Sequence, residues 1–220
     1  MTQETDFETF LFISKNKYQI FVYDKESLKN LYNKETKIFD TFELENLSNF
    51  LDENIYQIEK KINNFIKNII LIIEDEKIFD VAISLKKKNY EKYLGQKHLE
   101  NSLVEVKDVF RENYQDQIIM HMIIVSEVNK NDDYLFLEVN FISIPNNFTI
   151  YFEKLLESHQ IKIRRYMSGS YIKSFLGETA TELSSMANKL NNGLNKNEVQ
   201  LVSKSIENKG FFEKFFQLFS

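Results

Sequence analysis

Cysteine is absent from the 220 residues, which excludes disulfides and thiolate metal sites and is compatible with a cytosolic setting. Glycine is nearly as scarce, with five residues, and none precedes Gly95. Gly169, Gly177, Gly193 and Gly210 are isolated, so neither Gly-x-Gly-x-x-Gly nor a Walker-type loop is present. A nucleotide's phosphates need glycines that let backbone N–H groups come close, so neither nucleotide binding nor any other cofactor is expected. Long apolar runs are missing too; none approaches the ~18 residues that span a bilayer. The opening residues MTQETDFETF carry acids where a secretory signal would carry bases. Basic stripes are lacking, because Lys and Arg are interleaved with Asp and Glu at a net charge of -5, and nucleic acid is not an expected partner. The compact run Lys86, Lys87 and Lys88 reads as a solvated strand end or turn.

What is there is a globular composition, 43% hydrophobic and 28% charged, in a length that suits one ordinary domain or a compact pair of small ones. Residues 10–23 (FLFISKNKYQIFVY) read as a β-hairpin around Lys15-Asn16-Lys17. Leu44, Leu47, Phe50, Leu51, Ile55, Ile58, Ile62, Phe65 and Ile66 recur at three and four, predicting one amphipathic helix over 43–66. Residues 69–73 and 78–85 flank the acidic turn Glu74-Asp75-Glu76 and read as a second hairpin. Leu99, Leu103, Val106 and Phe110 predict a helix running to about residue 112. Residues 118–128 and 134–144 form a third strand pair around a polar turn, closed by Pro145, the single proline. Asn146 or Asn147 can cap a helix whose apolar face carries Phe148, Phe152, Leu155 and Leu156. With a returning strand at 161–166, residues 134–166 have the period of a β-α-β unit. A last helical segment begins near Gly169 and runs through Phe175. The asparagine-crowded stretch that follows reads as a linker.

Residues that could carry chemistry are sparse. His98, His121 and His159 stand in different predicted elements with no i, i+4 pairing, so no metal site is expected. His121 lies inside an apolar strand, where a buried, hydrogen-bonded histidine is the natural reading. Ser168-Gly169-Ser170 is the nearest approach to a nucleophile elbow, lacks the second glycine, and reads as a turn. Catalysis is therefore not expected.

The strongest positive pattern is at the end of the sequence. On a helical wheel Phe211, Phe212, Phe215, Phe216, Leu218 and Phe219 fall within an arc of roughly 160°, and Glu213, Lys214, Gln217 and Ser220 take the rest. Such aromatic density suits a membrane surface or an apolar groove, with Lys209 and Lys214 beside it. Five phenylalanines and a leucine, half buried, would contribute on the order of 5 to 9 kcal/mol. Ordering the segment costs about 1 kcal/mol or more per residue. One tail alone binds marginally, and stable attachment needs several linked tails or a polymeric partner.

The order of elements resembles the actin-like bacterial cell-division protein FtsA family. The similarity is carried by residues 95–107 (GQKHLENSLVEVK), by 140–171 (NFISIPNNFTIYFEKLLESHQIKIRRYMSGSY), and by the tip GFFEKFFQLF, which resembles that family's membrane-targeting helix. The family's phosphate loop in the first hairpin is replaced by Lys15-Asn16-Lys17, and a second actin-like half has no counterpart. The resemblance implies an α/β (α+β) fold with mixed sheets, made of a partial actin-like subdomain at 7–93 and an inserted α+β interaction subdomain at 94–168. A return helix at 169–185, a polar linker at 186–209 and an amphipathic membrane-targeting helix at 210–220 would follow. It implies a non-catalytic, cytoplasmic scaffold, peripheral on the inner face of the membrane, whose partners are division-machinery proteins or copies of itself. Left open are a soluble interaction module whose last helix docks in a partner's groove or on its own core, and an enzyme with an unrecognised site.

Overall fold

The computed structural model describes residues 7–38, 44–88, 96–130, 134–177 and 182–200. They fall into two compact units, one of the described residues within 7–78 and 146–192 and the other of those within 79–145 and 193–200. The chain is mixed α/β, with a five-stranded and a three-stranded sheet.

In the first unit, β1 (Phe7–Ser14) and β2 (Lys17–Asp24) are buried at nearly every position, so both faces of this pair must be covered. They form the expected hairpin, with Phe10 directly opposite Phe21 and the two rings stacked 4.9 Å apart. β3 (Lys29–Lys37) pairs antiparallel with β2. The sequence KNLYNKETK hides this strand, because as an edge it needs no apolar alternation. β4 (Asn68–Glu74) lies parallel to β1, and β8 (Lys162–Ser168) parallel to β4, giving the order β3-β2-β1-β4-β8.

Helices cover the two faces. α1 (Leu44–Ile62) lies on the Tyr18 side, where Phe50 meets the Tyr18 ring at 5.9 Å and Asn54 accepts a 2.6 Å bond from the Tyr32 hydroxyl. α3 (Asn146–Ser158) joins it through Tyr166, whose hydroxyl donates to Glu153 and whose pKa is driven far above the usual range, first by burial and then by that bond. The opposite face takes α4 (Gly169–Ser174) and α5 (Leu183–Asn191). There the buried Glu8 carboxylate accepts two bonds of 3.1 and 3.0 Å from Asn191 and lies 3.4 Å from both Lys25 and Arg164.

The second unit holds β5 (Phe79–Lys88), α2 (Gln96–Asn113), β6 (Gln117–Lys130) and β7 (Tyr134–Pro145), with the antiparallel order β5-β7-β6. Leu103, Val106 and Phe110 of α2 form its core with Leu137, Val139 and Phe141, the Phe110 and Phe141 rings stacking at 4.6 Å.

Several expectations change. β4 and β5 are not a hairpin; they belong to different sheets, because the continuous apolar run NIILIIE suits a strand buried on both faces while FDVAISLKKK alternates. Nor is 134–166 one β-α-β unit, since β7 and β8 lie in different sheets. α1 stops at Ile62 rather than 66: Asn63 adopts φ 52°, the Asn64 N–H returns to the Glu59 carbonyl, and Phe65 is 74% exposed instead of lining the apolar face. The asparagine-crowded stretch is not a linker as far as Gln200. Met186, Ala187 and Leu190 of α5 are buried, and its asparagines are bonded: Asn191 to Glu8 and Arg165, Asn188 to Asn192.

Ser168-Gly169-Ser170 is a direct strand-to-helix junction rather than a turn, with Ser168 Oγ accepting from the Tyr171 N–H. Its glycine is sterically required. A Cβ at 169 would stand 2.9 Å from Glu74 Cβ, 3.1 Å from the Phe12 ring and 3.3 Å from the Ile73 carbonyl. Gly169→Ala is expected to cost about 1 to 3 kcal/mol in urea unfolding, outweighing the helical preference of alanine. An unchanged midpoint would show that the junction shifts freely.

Candidate functional site

At one end of the five-stranded sheet stands the β1–β2 turn, where Lys15-Asn16-Lys17 replaces the phosphate loop of the resembled family. The β1–β2 turn is two residues long and closed by its own groups. Ser14 Oγ donates to Asn16 Oδ1 at 2.9 Å, and the Asn16 carbonyl accepts the Ile38 N–H at 2.8 Å. The nearby cations are matched by carboxylates: Lys15 with Glu76 at 2.9 Å, Lys17 with Glu35 at 3.3 Å, and Lys173 with both oxygens of Glu74 at 2.7 Å. The Glu76 contact raises the Lys15 pKa, and the same hydrogen bond lowers that of Glu76. The acidic turn 74–76 thus acts as a counter-charge to lysines. These contacts describe an ion-paired rim.

A second candidate is the root of the C-terminal segment, within the other unit. β6 carries irregularities between Ile119 and His121 and between Ile124 and Ser126, where an extra residue breaks the pleat. Met120, His121 and Met122 are consequently buried in succession, which strict alternation would forbid. Residues 197–199 lie antiparallel along this stretch. The Ile124 N–H donates to the Asn197 carbonyl at 2.9 Å, the Val199 N–H to the Met122 carbonyl at 2.8 Å, and Glu198 bridges Ile123. Between these two bonds the Glu198 carboxylate meets His121 Nδ1 at 2.7 Å, with the side chains 2% and 0% exposed. Val199 completes the fastening by entering the apolar core.

The expectation that His121 is a buried, hydrogen-bonded histidine is met, and its partner is the residue that sequence reasoning missed. Glu198 stands alone in an asparagine-rich stretch, and the available signal was the histidine itself, which needs a buried partner to sit in an apolar strand. His159 lies 3.8 Å from Asp52, and the side chain of His98 is outside the described residues. Lys86, Lys87 and Lys88 end β5 as expected: Lys87 pairs with Glu105 of α2, and Lys86 sits over the Tyr134 and Phe136 rings. The expected membrane-binding residues, Lys209, Phe211, Phe212, Lys214, Phe215, Phe216, Leu218 and Phe219, all lie outside the described residues. Among the described residues no helix is long and apolar enough to cross a membrane.

Glu198→Ala leaves His121 buried without its carboxylate and is expected to cost about 3 kcal/mol, with Glu198→Gln costing less because a bond to the ring survives. In amide hydrogen exchange, Ile124 and Val199 should lose protection together. Retained protection at both would show that the backbone pairing, not the Glu198–His121 contact, fastens the root.

No protein-family model matches the chain, and no curated protein matches it. Among solved structures it is similar to the cytoplasmic domain of EpsL, an inner membrane component of the type II secretion system of Vibrio cholerae, at 9% identity and TM-score 0.40, over 76% of this chain and 57% of that one. It is similar to the PilM-PilN type IV pilus biogenesis complex at 8% identity and TM-score 0.48, over 75% of this chain and 48% of that one. A third likeness is to a Bacteroides thetaiotaomicron protein with an actin-like ATPase fold and unknown function, at 15% identity and TM-score 0.34, over 79% of this chain and 57% of that one. The chain thus spans about half the length of the solved structures it resembles. At this level the likeness singles out neither a function nor the cell-division family.

Proposed function

We propose that this protein is a non-catalytic adaptor that works at the cytoplasmic face of a membrane, in bacterial cell division, and that residues 210–220 are the part that meets lipid. The observation that carries the proposal is the complete segregation of Phe211, Phe212, Phe215, Phe216, Leu218 and Phe219 to one side of a helical wheel, in a segment that resembles the FtsA membrane-targeting helix. The fastening of residues 197–199 to β6 supports it by setting where a tether starts. From Gln200 to the amphipathic segment only the nine residues 201–209 intervene, a reach of about 30 Å at most when fully extended. Lipid contact therefore holds the three-stranded sheet close to the bilayer.

Co-sedimentation with phosphatidylglycerol and phosphatidylethanolamine vesicles tests the contact. The intact chain is expected to pellet several-fold more than a chain ending at Lys209, and Phe211→Ser with Phe215→Ser should abolish the difference. Equal sedimentation of all three would remove the tether and leave a partner's apolar groove as the helix's destination. A fluorescent fusion that coats the whole membrane evenly, with no enrichment at the division site, would move the adaptor to another assembly.

A further inference from the structure

The outer edge of β5 has the composition of a self-complementary interface. Among the described residues β5 bonds only to β7, which leaves one row of its backbone N–H and C=O groups directed away from the sheet. Its side chains alternate strictly: Asp80, Ala82, Ser84 and Lys86 are exposed, while Val81, Ile83 and Leu85 are only half buried against the α2 core. The helix flank beside this edge, marked by the pairing of Glu105 with Lys87, carries Val109 one turn further on, 40% exposed. Apolar surface thus lies along the border of a core that stops at an open strand.

We propose that β5 pairs antiparallel with the β5 of a second copy, centred on Ile83, so that two three-stranded sheets become one of six. In an antiparallel pair, opposed residues share a face, so a two-fold axis normal to the sheet lets exposed positions meet only exposed positions. Centred on Ile83, Asp80 faces the partner copy's Lys86 in both symmetry-related places and Ala82 faces Ser84. On the helix side Val81 faces Leu85, and Ile83 faces Ile83. Moving the centre to Ser84 sets Asp80 against Lys88 but also Val81 against Lys87 and Ala82 against Lys86. Moving it to Ala82 leaves Lys86 facing Ile78, beyond the start of the strand. Only the Ile83 centre gives Asp80 an opposite charge while Val81, Ile83 and Leu85 all meet apolar residues; Phe79 then meets Lys87 at the strand ends. This deepens the membrane reading, because a dimer brings two weak tails to one surface, but it is tested without lipid so that each can fail alone.

The full chain is expected to sediment as a dimer at about 100 µM. Asp80→Lys, which sets two repelling pairs across the axis, should weaken association about tenfold or more, and Asp80→Lys with Lys86→Asp should restore it. In a chain with no cysteine, Ile83→Cys places two thiols directly opposite, about 5 Å apart between Cα atoms, and mild oxidation should link them. Lys34→Cys on the edge strand β3 is the control and should form no disulfide-linked species under the same conditions. A monomer at that concentration, Ile83→Cys linking no faster than Lys34→Cys, or a double charge exchange that does not restore association would each overturn the pairing. So would a dimer that disappears with Phe211→Ser and Phe215→Ser. Because Asp80 and Lys86 are exposed, the charge exchange remains decisive even if a change at Ile83 disturbs folding.

Discussion

Two adjacent strands without a polar face impose the main constraint on this molecule. β1 and β2 bury seven and six of their eight residues, and the Phe10–Phe21 stack at their centre leaves no solvent side. A hairpin of this kind cannot stand alone. One face is closed by α1 and α3 and the other by α4 and α5, so segments up to residue 191 must return to a hairpin that begins at residue 7. The second unit is then an excursion between β4 and α3, and it can carry its own core because that core rests on α2 and a separate sheet.

Two buried glutamates fasten the returning chain. Glu8 draws α5 onto the first sheet through Asn191, with Lys25 and Arg164 supplying opposite charge. Glu198 ties the residues just beyond α5 to β6 through His121. A buried ion pair is a modest source of net stability, since desolvation offsets much of the attraction, but losing one partner is expensive. Both carboxyl groups therefore act by specifying position: an alternative docking of α5 or of residues 197–199 would leave a buried polar group without its hydrogen-bond partner. Apolar contacts from Leu190 and Val199 supply the attraction, and the glutamates define the register.

Regular periodicity was readable in the sequence, and pairing was not. The first hairpin, the β6–β7 pair, α2 and α3 were legible because their apolar spacing follows the pleat or the helical turn. β3 was not, since a polar edge strand carries no alternation to detect. β4 and β5 are near in sequence but not in the sheet, because NIILIIE needs neighbours on both sides and finds them in β1 and β8. The apolar spacing overstates the length of α1 because Phe65 keeps the helical spacing after Asn63 has already turned the backbone. Around the candidate site, His121 needs a partner, but Glu198 lies 77 residues away, and a polar, asparagine-rich context disguises Asn188, Asn191, Asn192 and Asn195, whose side chains are hydrogen-bonded.

That engagement alters the physics of the tail. A linker over 186–209 would have let the amphipathic segment search a wide volume, which lowers the effective concentration at which a second tail of the same assembly meets a surface. With the described structure reaching Gln200, only nine residues of sequence separate it from the amphipathic segment, and a shorter separation raises the local concentration of a second tail in the proposed assembly. For a tail whose apolar gain and ordering cost nearly cancel, this geometric term is as important as any contact the phenylalanines make. In the proposed adaptor, a contact that is weak in one copy becomes useful when copies are joined at fixed spacing, so that attachment would respond to assembly rather than to the concentration of the free protein.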